Sequence, residues 1–343
     1  MKGIRALARH LDISIGTVSK ALNGKLDINA DTRRRVLDAA AELGYVANQS
    51  GRSLRQGSTQ TVGFMIESNR PNAADSDNFF MAVFDGVQSV LAKHRLDLIV
   101  LPCASSEDPE VYLRRMVTRG MADALIISAT RRNDPRVTLL NTAKVPFVAL
   151  GRSDTSRHPW VELDFEGVAR ACVDRLVGMG HRRIAVVLPD SELNLGNLFL
   201  AGYQAGLAAH ALPFDAQLCL RAQSSEQGGY DMGGALLDLS PRPTAVALSY
   251  ELLAIGLYRR LAEAGIVAGR DLAVISFRES AQTRFLVPSL TCFRTSLSDI
   301  GVALGEMLLS QMPEFAASYP DWPTTRILPL ELVEGDSDRM SAG

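Results

Sequence analysis

No stretch of about 18 consecutive apolar residues occurs in this 343-residue chain, which argues against a transmembrane helix and a membrane partner. Cysteine is sparse: Cys103, Cys172, Cys219 and Cys292 lie far apart and form no metal-ligand spacing. They suit reduced thiols rather than a zinc or disulfide framework. The five histidines are scattered, and neither a P-loop nor a Gly-x-Gly-x-x-Gly fingerprint is present. No Ser-His-Asp constellation stands out, so no catalytic residue, metal or cofactor is expected. His181 reads as a packing or capping residue before a strand, and Gly228-Gly229 as part of a helix start. Met1-Lys2-Gly3 runs directly into a helical pattern, which leaves no room for a signal peptide and predicts a cytoplasmic location.

What the chain does have begins at its first residues. Ile4, Leu7, Ala8 and Leu11 fall at helical spacing. Asp12-Ile13-Ser14 breaks that helix, and Ser14 can cap the next one through its hydroxyl. The second helix, Ile15 to Leu22, turns Val18, Ala21 and Leu22 inward and Ile15, Gly16, Thr17, Ser19 and Lys20 outward. A third runs from Ala30 to Leu43, with Asn29 as N-cap and Gly44 as C-cap. This is a helix-turn-helix pattern, whose second helix reads base edges in the major groove. Lys20 can donate to guanine and Ile15 can meet a thymine methyl, while Thr17, Ser19 and Asn23 suit phosphate contacts.

Charge supports that reading over a bare three-helix bundle. Residues 1–57 hold ten Lys or Arg against five Asp or Glu, a local charge of +5, and the remainder carries −7. A basic head on an acidic body is the footprint of a protein that presents one end to phosphates.

Thr17-Val18-Ser19-Lys20-Ala21-Leu22-Asn23-Gly24, followed by Thr32-Arg33-Arg34-Arg35-Val36 through Leu43-Gly44-Tyr45, resembles the head of the LacI/GalR family of transcriptional regulators. The similarity continues through Gly180-His181-Arg182-Arg183-Ile184-Ala185, Arg242-Pro243-Thr244-Ala245 and Pro288-Ser289-Leu290-Thr291, and so covers almost the whole chain. It implies that Asn48 to Gly57 is a hinge that becomes helical when two subunits meet over an operator. Leu54 would then wedge between base steps in the minor groove, with Asn48, Arg52 and Arg55 also on the DNA. Gly51 stands where the family usually has alanine, at about 0.5–1 kcal/mol inside a helix, and Ala47 replaces a usual proline. Together they predict a hinge more dependent on DNA for its order.

From Thr61 onward strands alternate with helices: Val62–Ile66, Leu98–Leu101, Ala124–Ile127 and Val145–Leu150 in a first lobe, Ile184–Leu188 and Thr244–Leu248 in a second. Amphipathic helices lie near Phe80–His94, Pro109–Arg119 (capped by Asp108), Gly167–Met179 and Leu198–Ala211. The pattern predicts parallel sheets with crossovers. The expected fold is an all-α helix-turn-helix head plus an α/β bilobed, periplasmic-binding-protein-like body with two parallel sheets. Expected boundaries are 1–46 for the head, 47–60 for the hinge, 61–162 with 291–324 for the first lobe, and 163–290 with 325–335 for the second. A disordered tail is expected over 336–343.

A ligand cleft is expected outside the strand C-termini. Asn78-Phe79-Phe80 matches the family's Asn-Pro-Phe-Phe turn apart from a shifted asparagine and a lost proline, and an aromatic face there can stack on a sugar. Ser128, Arg152, Trp160 and Asp164 sit at strand ends or at the first crossover. Departures from the family are concentrated in the second lobe. Phe199 stands for an arginine, Ser224 for a stacking aromatic and Tyr250-Glu251 for Asn-Asp, and Arg278 replaces an aspartate that commonly accepts ligand hydroxyls. Replacing an acceptor-only group by a donor-only one changes what the ligand must present. Arg152 and Arg278 are suited either to an anion or to hydroxyl lone pairs, or else they pair with neighbours.

The resemblance thus implies a homodimeric, effector-responsive repressor on a pseudo-palindromic operator, with a carbohydrate or sugar derivative in the cleft. The alternatives are an activator or constitutive DNA-bending protein of the same family, an anionic non-sugar effector, or an enzymatic body with an accessory DNA head.

Overall fold

The structure, a computed structural model, describes residues 3–22, 27–45, 58–67 and 77–339, without the side chains of residues 77 and 78. The chain divides into a unit ending at Gln60 and a second beginning at Thr61.

The first unit contains α1 (Ile4–His10), α2 (Ile15–Leu22) and α3 (Ala30–Glu42). Ser14 Oγ accepts the Thr17 N–H at 3.0 Å and so caps α2, a contact of the kind that contributes about 1 kcal/mol. Asn29 caps α3 through the Asp31 N–H, and Gly44 closes that helix with a φ of 59°. Leu7, Ala8, Val18, Ala21, Val36, Ala39 and Ala40 form the buried centre. The apolar spacing in each helix therefore converges on one small core.

The second unit holds two parallel sheets. The first is six-stranded, in the order β11-β5-β4-β3-β1-β2, from Thr325–Leu328, Trp160–Leu163, Phe147–Leu150, Ala124–Ile127, Thr61–Glu67 and Asp97–Cys103. Helices α4 (Asp77–Leu91), α5 (Pro109–Thr118), α6 (Pro135–Ala143) and α11 (Leu297–Gln311) belong to this lobe. The second is four-stranded, β7-β6-β8-β9, from Cys219–Ala222, Ile184–Pro189, Ala245–Leu248 and Ala273–Ser276. It carries α7 (Phe165–Gly178), α8 (Asn194–Ala209), α9 (Glu226–Asp238) and α10 (Leu252–Glu263). Central strands such as β3, β6 and β8 are buried along their full length, as strands covered on both faces must be. A short antiparallel pair, β10 (Cys292–Arg294) with β12 (Glu331–Val333), lies where the chain passes between lobes.

Two boundary expectations are corrected. The expected second-lobe segment 325–335 includes Thr325–Leu328, yet this strand pairs in parallel with β5 as the edge of the six-stranded sheet. The chain therefore leaves the first lobe for the last time after Leu328. The segment 336–343 was expected to be disordered, but Ser337 and Asp338 are fully buried. Thr291 Oγ1 donates to Asp338 at 2.6 Å, Ser337 Oγ donates to the Val274 carbonyl at 2.6 Å, and Arg175 pairs with Asp338. Polar residues that look solvated in sequence are here satisfied by partners in three distant segments. Among the described residues, no helix is long and apolar enough to cross a membrane.

Candidate functional site

The head offers a compact polar surface around the start of α2. Ile15 is 40% exposed, an unusual position for a branched apolar side chain, and Gly16 and Lys20 are exposed beside it. Thr17 and Ser19 are half-buried, and the Thr17 hydroxyl lies 2.9 Å from that of Ser14. Lys20 pairs with Asp27 at 2.5 Å, both side chains more than half exposed; such a pair is weak and yields readily to a phosphate or base. Of the other expected DNA contacts, Asn23, Asn48, Arg52, Leu54 and Arg55 lie outside the described residues.

In the body, the C-terminal ends of both sheets face a cavity of about 440 Å³, within the range of small-molecule sites of roughly 300–1,000 Å³. The first lobe contributes Glu67, Phe79, Phe80, Ser128 to Arg131, Gly151 and Glu162; the second contributes Asp190 to Leu195, Gln223, Ser224, Ser249 to Glu251, Phe277 and Arg278. The lobes also touch directly. Arg131 and Leu193 form an antiparallel bridge, Asn194 donates its backbone N–H to the Thr130 carbonyl at 2.9 Å, and its side-chain amide donates to the Arg152 carbonyl at 2.9 Å.

The electrostatics of the wall differ from a simple cationic site. Arg131 makes two hydrogen bonds to Glu67, at 2.9 and 3.2 Å, and the fully buried Arg136 backs Glu67 at 2.8 Å while gripping Asp134. Arg278 is paired with Glu251 and lies 5.1 Å above the Phe79 ring. Arg152 binds Glu162 at 3.1 Å and Glu166 at 2.6 Å. Burial pushes the Glu162 carboxyl up to about 7 despite Arg152, and Glu166 and Asp164 add to the rise. Burial opposes the Arg152 charge, but Glu166 and Glu162 more than restore it and hold its pKa above the ordinary value. The guanidinium thus stays charged while Glu162 is poised to hold a proton near neutrality. Aromatic surface comes from Phe165 stacked on Phe277 at 4.5 Å and from Phe79 edge-on to Phe80. Among the described residues, no group of His, Cys, Asp or Glu gathers as a metal site would require.

Residues 4–48 match the bacterial regulatory proteins of the lacI family, and residues 173–337 match the periplasmic binding protein-like domain. The chain is 31% identical over 338 residues to the HTH-type transcriptional regulator AglR of Rhizobium meliloti (strain 1021), covering 96% of this chain and 92% of that one. The chain belongs to the lacI family. It is 31% identical to the HTH-type transcriptional regulator RafR of Escherichia coli over 269 residues, 78% of this chain and 79% of that one. In fold it is similar to the lac repressor dimer bound to operator and the anti-inducer ONPF (TM-score 0.83, 21% identity, 98% and 99% covered). It is likewise similar to a CelR–cellobiose complex (TM-score 0.72, 24% identity, 98% and 100% covered). These relatives are transcriptional regulators, and this LacI-family chain is a transcriptional regulator rather than an enzyme.

Within this regulator, the cavity gathers Phe79, Phe80, Ser128, Tyr250 and Arg278 from the residues expected to bind an effector. The Ser128 hydroxyl is already committed to the Met65 carbonyl at 3.0 Å. The other expected residues are not on the cavity wall. Arg152 stands behind it, holding Glu162 and Glu166. Trp160 lines a separate surface hollow with His158 and Gln311. Asp164 caps α7 through the Gly167 N–H at 2.8 Å, and the Asn78 side chain lies outside the described residues. Sequence reasoning missed Glu67, Arg131, Glu162, Phe165, Asp190, Asn194, Glu251 and Phe277 as wall residues. Glu67 and Asp190 directly end or follow buried strands, so the strand-terminus rule was sufficient to find them. Pairing of Arg152 and Arg278 with neighbours was one of the alternatives open in the sequence, but the partners themselves, Glu162, Glu166 and Glu251, are set by the fold.

Proposed function

We propose that the protein is a repressor that binds a pseudo-palindromic operator as a homodimer, and that an uncharged carbohydrate in the interlobe cleft alters its affinity for DNA. The observation that carries this reading is the cleft itself. It is bounded by both lobes, carries aromatic faces for stacking, and holds its arginines in ion pairs. Glu67, Asp190, Glu192 and Glu251 outnumber Arg131 and Arg278 on its wall, which disfavours an anionic effector. The lac repressor structure holds a dimer on operator with an anti-inducer, and the CelR structure holds cellobiose; both support the same use of the fold here. Ile15, Gly16, Thr17, Ser19, Lys20 and Asn23 are proposed to read and clamp the major groove. Asn48, Arg52, Leu54 and Arg55 are proposed to hold the minor groove.

Dimerisation is supported by apolar side chains left in water on the body. Phe285 is 86% exposed and Val287, two residues on, 88%, and a partner copy covering both would bury their apolar surface. A two-fold dimer gives two reading heads and demands two inverted half-sites. Duplexes selected by the purified protein from a random library test this. Enriched sequences should contain inverted half-sites and bind two chains each. Enrichment of a single asymmetric half-site bound by one chain would contradict it.

A further inference from the structure

Two buried polar atoms on the second-lobe side of the cleft have no hydrogen-bond partner. Glu251, 3% exposed, uses one oxygen for Arg278, and its other oxygen, Oε2, is unpaired. Ser249, 1% exposed, has an unpaired Oγ two residues away. Both residues line the cavity. Buried polar groups are ordinarily satisfied, and leaving one without a partner forfeits the hydrogen bond that water would have given it. Unpaired atoms in a cavity wall therefore point to a ligand that completes them.

The chemistry of the set narrows that ligand. Glu251 Oε2 is an acceptor, Ser249 Oγ both accepts and donates, and Arg278 is donor-only. Arg278 gives one N–H to Glu251 and another to the Glu279 carbonyl at 3.1 Å, so of its five donors others remain. An acceptor beside a donor matches adjacent hydroxyls, each of which gives one hydrogen bond and takes another. A carboxylate or phosphate offers only acceptors and would compete with Glu251 for Arg278 while facing an uncompensated negative charge. We infer that Glu251, Arg278 and Ser249 form a diol-reading subsite in which the Glu251–Arg278 ion pair acts as a charge filter, admitting neutral vicinal hydroxyls and rejecting anions. This rests on the carbohydrate reading of the cleft and specifies which residues set its selectivity.

The filter makes opposite predictions for its two members. Glu251→Gln retains side-chain shape but leaves Arg278 without its counter-charge. Neutral sugars should then lose tenfold or more in affinity, and matched sugar acids should gain at least as much. Arg278→Gln leaves Glu251 unpaired, so sugar acids should remain excluded while neutral sugars weaken. Titration calorimetry on the full chain, using glucose, galactose and cellobiose with glucuronate, galacturonate and glucose 6-phosphate, gives the neutral-to-acid preference of each protein. A preference that moves toward acids only in Glu251→Gln supports the inference, and thermal melts confirm that each variant is folded. Should Glu251→Gln fail to fold, the Arg278→Gln ratio decides: acceptance of acids there overturns the filter, and continued exclusion with weakened neutral binding supports it. A parent that binds neutral sugars and variants that keep its ratio would overturn the filter while leaving the carbohydrate reading intact. A parent that binds only the anionic probes, or none of the six, would overturn both.

Discussion

Individual residues in this regulator do work that their neighbours decide. Glu162 illustrates this, because the same carboxylate at the surface would be charged at neutrality. Its ordinary value is 4.5, and in the fold it is pushed up to about 7. Between those pH values the folded chain retains a proton that the unfolded chain has released. Stability from this group is therefore present below about pH 4.5 and lost as pH rises through 7. Replacing Glu162 by Gln should remove that slope, so the difference in unfolding free energy between parent and variant should change steadily from pH 5 to pH 7. A constant difference would mean that Glu162 is charged throughout. In the hinge, Leu54 is proposed as the wedge, and Leu54→Ala should weaken operator binding tenfold or more, since opening a base step costs a few kcal/mol that the side chain offsets. Effector affinity, measured by calorimetry, should be unchanged. Equal operator binding by the variant would sink the wedge.

At the scale of elements, helix pairs in the second lobe approach through glycine. A Cβ on Gly202 of α8 would stand 2.1 Å from the Glu166 carbonyl oxygen of α7, whereas a Cβ on Gly178, at the end of α7, meets nothing within 4 Å. Gly202→Ala must push α7 and α8 apart, at about 1–3 kcal/mol as overpacking typically costs. Gly178→Ala should be neutral or stabilising by up to about 1 kcal/mol. Urea unfolding of both variants checks the pair, and equal midpoints would contradict the packing described. How much of these elements was legible in the sequence depended on how local their causes are. The apolar stripe of α1, the Ser14 and Asn29 caps and the Asp108 cap lie within a few residues of what they stabilise, and all three caps are present. Edge strand Thr325–Leu328 looked like a second-lobe segment because its partner β5 lies some 165 residues earlier. The tail was misread for the same reason, since Asp338 is made burial-compatible by Arg175 and Thr291. In the cleft, Arg278 was visible as a departure, but its neutralisation by Glu251 was not.

On the scale of the whole molecule, the formal charge divides into +5 over residues 1–57 and −7 over the remainder, which accords with the proposed operator contact of the head. The two lobes meet through the Arg131–Leu193 bridge and Asn194, so a ligand seated between them contacts both. If effector and operator each prefer one lobe arrangement, each must change the other's affinity by the same factor, typically 5–150-fold for about 1–3 kcal/mol of coupling. Sequence alone carries that expectation only through the family resemblance. The paired arginines and unpaired Glu251 and Ser249 atoms add the chemistry of the ligand.

Coupling between cleft and operator is tested by a reciprocal binding cycle on the full chain. Operator affinity is measured with and without a saturating neutral sugar that binds the cleft, and sugar affinity is measured with and without operator. Two equal factors of at least fivefold, in the same direction, are expected. A sugar that binds the cleft tightly yet leaves operator affinity unchanged would mean that cleft and reading head are not coupled.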